Sequence, residues 1–309
     1  MTERFEGVVI RSTGSWYDVR RDDGTIVESR IRGKLRLKGV RSTNPVVVGD
    51  VVQCEIDEMG ECAIVDITPR RNYIIRRASN LSKESHIIAA NIDQAALVVS
   101  LFAPRTAWEF VDRFLVTCEA YGIPVTIVLN KIDLARQTPE ALEEFVATYL
   151  MAGYKVLEVS ATEGIGIDRL RRLLHGKTTL LSGNSGVGKS SLINAIDPSI
   201  NTRTGEVSSS HHKGMHTTTF SQMYPLEEGG YIIDSPGIKG FGLIDIEPDE
   251  LARYFPDFMR FAPDCSFYNC THTHEPKCAI LRAVEEGEIV ASRYESYLKI
   301  LQEDDKYRK

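Results

Sequence analysis

The sequence has no apolar run approaching the roughly 18 residues that a membrane span needs. Its opening stretch, MTERFEGVVIRSTGS, has no apolar signal-peptide core. These absences predict a cytoplasmic protein that engages no membrane. No internal repeats or low-complexity tracts are present. Cysteine is scarce, with six residues in 309. In a reducing compartment, clustered cysteines among so few point to metal rather than disulfides. An excess of basic charge is also missing: the net charge is −6, which argues at first against a nucleic-acid partner. What is present is 42% hydrophobic and 26% charged residues over a length that suits two or three domains with real cores.

The net charge is an average over unlike parts. Residues 1–80 carry 14 basic and 12 acidic side chains, residues 81–244 carry 14 and 17, and residues 245–309 carry 9 and 14. Patterning divides the chain similarly. The first part reads as short strands separated by turns (FEGVVIRS, WYDVRR, TIVESRIRG, VGDVVQCEI, CAIVDITP), which predicts a small OB-type β-barrel. The middle alternates strands at 95–102, 125–130, 155–161, 178–183, 218–226 and 231–237 with helices at 108–121, 139–152, 167–175 and 189–196, which predicts a parallel sheet wrapped by helices. The last part is a Cys/His cluster followed by a helical run, CAILRAVEEGEIVASRYESYLKILQ, with no strand signal. The expected domains are 1–72, 73–243 and 244–309.

Gly183-Asn184-Ser185-Gly186-Val187-Gly188-Lys189-Ser190-Ser191 matches the phosphate loop G-x-x-x-x-G-K-[ST], after an apolar strand and before a helix. Its glycines let backbone N–H groups close on phosphate oxygens. Lys189 would reach the β- and γ-phosphates, and Ser190 would ligate Mg²⁺. Asn130-Lys131-Ile132-Asp133 ends another strand. A carboxylate at Asp133 can accept from both N1–H and the 2-amino group of guanine, donors that adenine does not offer. Lys131 can lie along the base and Asn130 can brace the neighbouring loop. Asp234-Ser235-Pro236-Gly237 ends YIID, where Asp234 suits a Mg²⁺-bound water and the Gly237 amide a γ-phosphate. Ser160-Ala161 ends KVLEVSA, with the Ala161 amide positioned for guanine O6.

These motifs resemble those of the translation-factor-related GTPases in permuted order: the guanine-reading motif precedes the phosphate loop, whereas Ras-like enzymes have the reverse. With the flanking barrel and Cys/His segment, the whole chain resembles the bacterial small-ribosomal-subunit-dependent GTPase A family. That resemblance implies hydrolysis of GTP to GDP, stimulated by the small ribosomal subunit during its late maturation, by a monomer contacting rRNA. By position in the family's H-T-T-T stretch, Thr218 is the Mg²⁺ threonine, with Thr217 an alternative. The position after DSPG that holds a water-orienting glutamine in Ras-like enzymes is Ile238, so intrinsic turnover should be slow. His216 is the nearest candidate to position water, beside an equal reading as an exposed loop histidine. Because the chain leaves the nucleotide domain directly after DSPG, the C-terminal domain is expected to report the nucleotide state.

Cys265, Cys270 and Cys278 follow Cys-x4-Cys-x-His-x5-Cys, which supplies a closed structural zinc set. Spacing alone leaves His272 and His274 both open as the fourth ligand; the resemblance selects His272. Cys54, Cys62 and Cys118 read as core. Arg30, Arg32, Lys34, Arg36 and Lys38 alternate, followed by Arg41, with no acid between 30 and 41. Alternate positions of a strand share one face, so the row is a candidate RNA-binding stripe. Arg70, Arg71, Arg76 and Arg77 form a second, more ambiguous basic cluster.

Overall fold

The computed structural model describes residues 3–32, 45–77, 85–200, 221–234 and 246–307. In chain order the strands β1 (Glu3–Ser12), β2 (Tyr17–Arg20), β3 (Ile26–Ile31), β4 (Val51–Ile56) and β5 (Cys62–Ile67) come first, then β6 (Tyr73–Arg77) and β7 (Ser85–Ala90). Next are β8 (Gln94–Val99), α1 (Trp108–Ala120), β9 (Val125–Leu129), α2 (Ile132–Ala135), α3 (Pro139–Met151), β10 (Lys155–Glu158) and α4 (Ile167–Leu174). The remainder are β11 (Thr178–Ser182), α5 (Lys189–Ile196), β12 (Gln222–Pro225), β13 (Tyr231–Asp234), α6 (Pro256–Met259), α7 (Ala279–Glu285) and α8 (Ala291–Tyr307). The chain forms two compact units. One holds Met1–Ala95, Arg171–Ser182 and Ser190–Gly242; the other holds Ala96–Leu170, Gly183–Lys189 and Leu243–Lys309.

In the first unit β1 through β5 close into a barrel of order β1-β2-β3-β5-β4, with β4 returning to pair with β1. β3 and β5 are parallel and the other pairs antiparallel. Alternation along the strands sends Val9, Tyr17, Val19, Val52, Cys54, Cys62 and Ile64 into one core. Asp residues set the hairpins: Asp23 accepts from the Thr25 amide, and Asp57 from the amides of Met59 and Glu61. β1 is long enough for two tasks. Its first half pairs with β4, and Arg11 near its end pairs with Gln222 of β12. In the same unit β11 and β13 are parallel and β12 is antiparallel to β13. The hairpin of β6 and β7 was not expected from sequence.

The second unit contains the order β10-β9-β8, with β10 and β9 parallel. β8 is buried at every position, which is why its sequence is continuously apolar rather than alternating. The C-terminal helical run is formed by two helices, α7 and α8. Gly287, at φ 77°, ends the first in a left-handed turn, and α8 begins four residues later. Phe255, Phe258, Ile280, Tyr297 and Ile300 pack with Val116 of α1 in one core. Each such fully buried large side chain contributes roughly 1.5–3 kcal/mol. No helix among the described residues is long and apolar enough to cross a membrane.

Candidate functional site

The end of β9 and the phosphate loop are bonded directly to one another. Asn130 Nδ2 donates to the Val187 carbonyl at 2.8 Å, and its Oδ1 accepts from the Ala161 amide at 3.3 Å. Lys131, at φ 62°, donates through Nζ to the carbonyls of Gly186 (2.8 Å) and Ala103. Asp133 opens α2, and its Oδ1 accepts from Ser160 Oγ at 2.6 Å. Two glycines permit the close approach. A Cβ on Gly188 (φ 97°) would meet Asn130 Nδ2 at 2.4 Å, and one on Gly183 (φ 150°) the Val98 carbonyl at 2.3 Å. Lys189 Nζ lies against the Gly183 and Asn184 carbonyls, at 2.7 and 3.0 Å. Ser190 and Ser191 occupy the first turn of α5. Asp234 ends β13 in register with Leu181 of β11, two residues before Gly183. His216, Thr217, Thr218, Gly237 and Ile238 lie outside the described residues.

Cys265, Cys270, His272 and Cys278 bring their ligand atoms within 4.8 Å of one another. Cys265 Sγ and Cys278 Sγ are 4.0 Å apart, and His272 Nδ1 lies 3.7 and 3.4 Å from them. A tetrahedral zinc with Zn–S of about 2.3 Å and Zn–N of about 2.0 Å separates its ligands by about 3.5–3.8 Å. The donor set therefore fits one structural Zn²⁺. His274 does not share the cluster; its Nδ1 faces Thr273 Oγ1 at 2.8 Å. Geometry thus separates the two histidines where spacing did not. Glu275 gathers the loop by accepting from the amides of Thr271, Thr273 and His274 and from the Thr271 hydroxyl. Partial burial disfavours the Glu275 charge, but these hydrogen bonds outweigh it and hold the carboxyl well below the usual carboxylate range. From α8, the Tyr294 and Tyr297 hydroxyls donate to the His272 and Thr271 carbonyls, both at 2.7 Å.

Of the basic row, Arg30 lies in β3, and Arg32 pairs with Glu55 at 2.7 Å. Lys34, Arg36, Lys38 and Arg41 lie outside the described residues. Of the second basic cluster, Arg70 and Arg71 are each engaged by an acid. The Arg70 side chain is 7% exposed and grips both carboxylate oxygens of Asp50 at 2.7 Å, and Arg71 pairs with Asp93 at 2.6 Å. Arg70 is a strut beneath the barrel rather than a surface cation. Cys54, Cys62 and Cys118 are buried, as core cysteines should be.

One polar constellation escaped the sequence reading. Arg293 of α8 is 1% exposed and bonds Asp112 of α1 at 2.5 Å and Asp257 of α6 at 2.8 and 3.1 Å. Burial disfavours its charge, and the two carboxylates more than offset that. Arg293 lies 181 residues from Asp112 and 36 from Asp257 in sequence, so no local pattern announces them.

Comparison with known proteins agrees with this arrangement. A family model described as RsgA GTPase matches residues 67–244, and one described as RsgA N-terminal domain matches residues 6–64. "Small ribosomal subunit biogenesis GTPase RsgA 2" of Bacteroides thetaiotaomicron is 53% identical, over 98% of this chain and 99% of that protein. "Small ribosomal subunit biogenesis GTPase RsgA" of Flavobacterium johnsoniae is 49% identical, over 97% of this chain and 94% of that protein. Among solved structures, YjeQ from Thermotoga maritima superposes with a TM-score of 0.76 at 34% identity, covering 97% of this chain and 98% of that one. YloQ, titled a circularly permuted GTPase, gives 0.74 at 29% identity, covering 99% and 97%.

Proposed function

The chain belongs to the RsgA GTPase family, and from that premise we propose that it hydrolyses GTP to GDP and phosphate as a biogenesis factor of the small ribosomal subunit. The observation that carries the reading is the pair of side chains, Asn130 and Lys131, that bond the base-reading strand end to Val187 and Gly186 of the phosphate loop. A ligand held by both must carry a purine and phosphates at a fixed separation. Asp133, already oriented by Ser160, selects guanine by accepting two N–H bonds. The amides of Gly183 through Ser191 hold the phosphates. Lys189 rests on two loop carbonyls and exchanges them for the more strongly accepting β- and γ-phosphate oxygens. Mg²⁺, when bound, neutralises charge developing on the transferred phosphoryl group. Ser190, Thr218 and Asp234 are the oxygen donors offered to it, hard ligands that suit a hard cation, and the Gly237 amide senses the γ-phosphate.

With Ile238 unable to orient water, His216 or a group supplied by the partner completes hydrolysis. The relatives are named for biogenesis of the small ribosomal subunit, which supports taking that subunit as the partner. The barrel, through Arg30, Arg32, Lys34, Arg36, Lys38 and Arg41, is the face we assign to rRNA. We take the acting unit to be a cytoplasmic monomer with a barrel (1–72), a GTPase domain (73–243) and a zinc domain (244–309). GTP turnover in a large excess of ATP tests the nucleotide assignment. Unchanged turnover is expected, and suppression by ATP would overturn guanine selection. Turnover of His216→Ala with the small subunit present decides between the histidine and the partner.

A further inference from the structure

Trp16 leaves a large indole at the surface of the barrel. It ends the turn between β1 and β2, and β2 pairs with β3 so that Tyr17 lies opposite Ser29. One step along that register, Trp16 lies opposite Arg30, on the outward face, because Tyr17 and Ser29 point into the barrel. The Arg30 guanidinium carbon sits 3.8 Å above the Trp16 ring centroid. Even so covered, Trp16 remains 37% exposed. Its position is held rather than loose: the Trp16 carbonyl accepts from the Thr13 amide at 2.9 Å and the Thr13 hydroxyl at 3.3 Å, while the neighbouring Tyr17 is buried.

We propose that Trp16 and Arg30 form a stacking platform for an unpaired RNA base. The proposal rests on the assignment of the barrel to rRNA and adds a base-contacting residue to it. Bases stack on indole rings and on guanidinium planes, and OB-type barrels bind single strands on the β2–β3 face and the β1–β2 loop. Charge fixes which end of the face is used. Further along, outward Asp18 lies opposite Glu28, which repels a phosphate backbone even with Arg11 beside Asp18 at 3.5 Å. Arg32 is paired with Glu55, which Arg4 also approaches at 2.6 Å. The strand therefore enters beside Trp16.

The test uses the full chain and an unstructured 12-nucleotide RNA, with binding read by anisotropy across a salt series. Trp16→Ala should weaken binding about tenfold or more at every salt concentration, with the slope of log K against log salt unchanged, because a stack releases no counterions. Trp16→Phe should recover most of the loss. Lys34→Ala, by contrast, should reduce the slope by about one. Indole emission should fall on titration with RNA in the wild type and not in Trp16→Phe. The second tryptophan, Trp108, is stacked on Tyr149 and is common to both proteins, so the difference between them isolates Trp16. Binding of Trp16→Ala within twofold of wild type, with the wild-type slope, would overturn the platform while leaving the RNA face standing. No binding by the wild type would overturn both.

Discussion

The nucleotide loop and the zinc loop are both short polar turns, yet they are assembled by opposite means. Around the nucleotide loop, the protein satisfies its own polar groups: Asn130 and Lys131 bond Val187 and Gly186, and Lys189 rests on loop carbonyls. That loop is preorganised, and the ligand replaces bonds already made. The zinc loop has its backbone clamped by Glu275 and two tyrosines, but its three sulfurs and one imidazole nitrogen converge on a common point with only weak contacts among them. The ligand end of that loop is completed by the metal. One site should therefore survive loss of its ligand, and the other should not.

The largest expected effect is zinc removal. Chelation, or Cys270→Ala, should abolish stoichiometric zinc and melt α7 and α8 locally, since structural zinc supplies about 10 kcal/mol or more to small sites. Metal analysis and circular dichroism at the helical band read it. Nucleotide removal should leave the helical signal unchanged, and equal losses in both cases would erase the contrast. Next is the buried charge triad. Arg293→Met leaves two carboxylates buried without a cation and should cost about 3–5 kcal/mol by chemical denaturation. The double change of Asp112→Asn with Arg293→Met should recover part of that, because one stranded charge is then gone.

A smaller effect is expected at the base. Asp133→Asn should weaken GTP binding about 100-fold and shift preference toward xanthosine triphosphate, whose 2-carbonyl accepts what an amide donates. Competition binding measures it; retained GTP preference would remove Asp133 from the reading. The smallest lies in the zinc loop's own clamp. Glu275→Gln keeps the shape but loses the charge that strengthens four hydrogen bonds, and should cost about 1–2 kcal/mol. It should also remove part of the loop's acid sensitivity. Glu275 is held below its ordinary value, so its contribution is present above the unfolded carboxylate pKa and fades as pH falls through the folded one. The difference in thermal melts between the wild type and the Glu275→Gln variant should therefore shrink in strong acid.

Much of this was legible in the chain because local chemistry wrote it. The barrel strands follow alternation, the phosphate loop follows glycine spacing, and Cys265 through Cys278 sit within one turn-rich segment. What was not legible depended on distance or on a single dihedral. The triad of Arg293, Asp112 and Asp257 joins residues far apart in sequence. Arg70 looked like its neighbour Arg71 until burial against Asp50 separated them. Spacing alone left His272 and His274 both open; the family resemblance selected His272, and the cluster of ligand atoms agrees. The helical run 278–302 was legible from its spacing, while the break at Gly287 shows in its left-handed φ.

We propose a GTPase whose base-reading and phosphate loops are prebuilt and whose turnover the small ribosomal subunit stimulates. Steady-state GTP turnover with and without purified small ribosomal subunits tests that most directly. Slow turnover alone and a large increase with subunits, diminishing as salt rises, is the predicted result. Equal turnover with and without subunits, or none in either case, would contradict it.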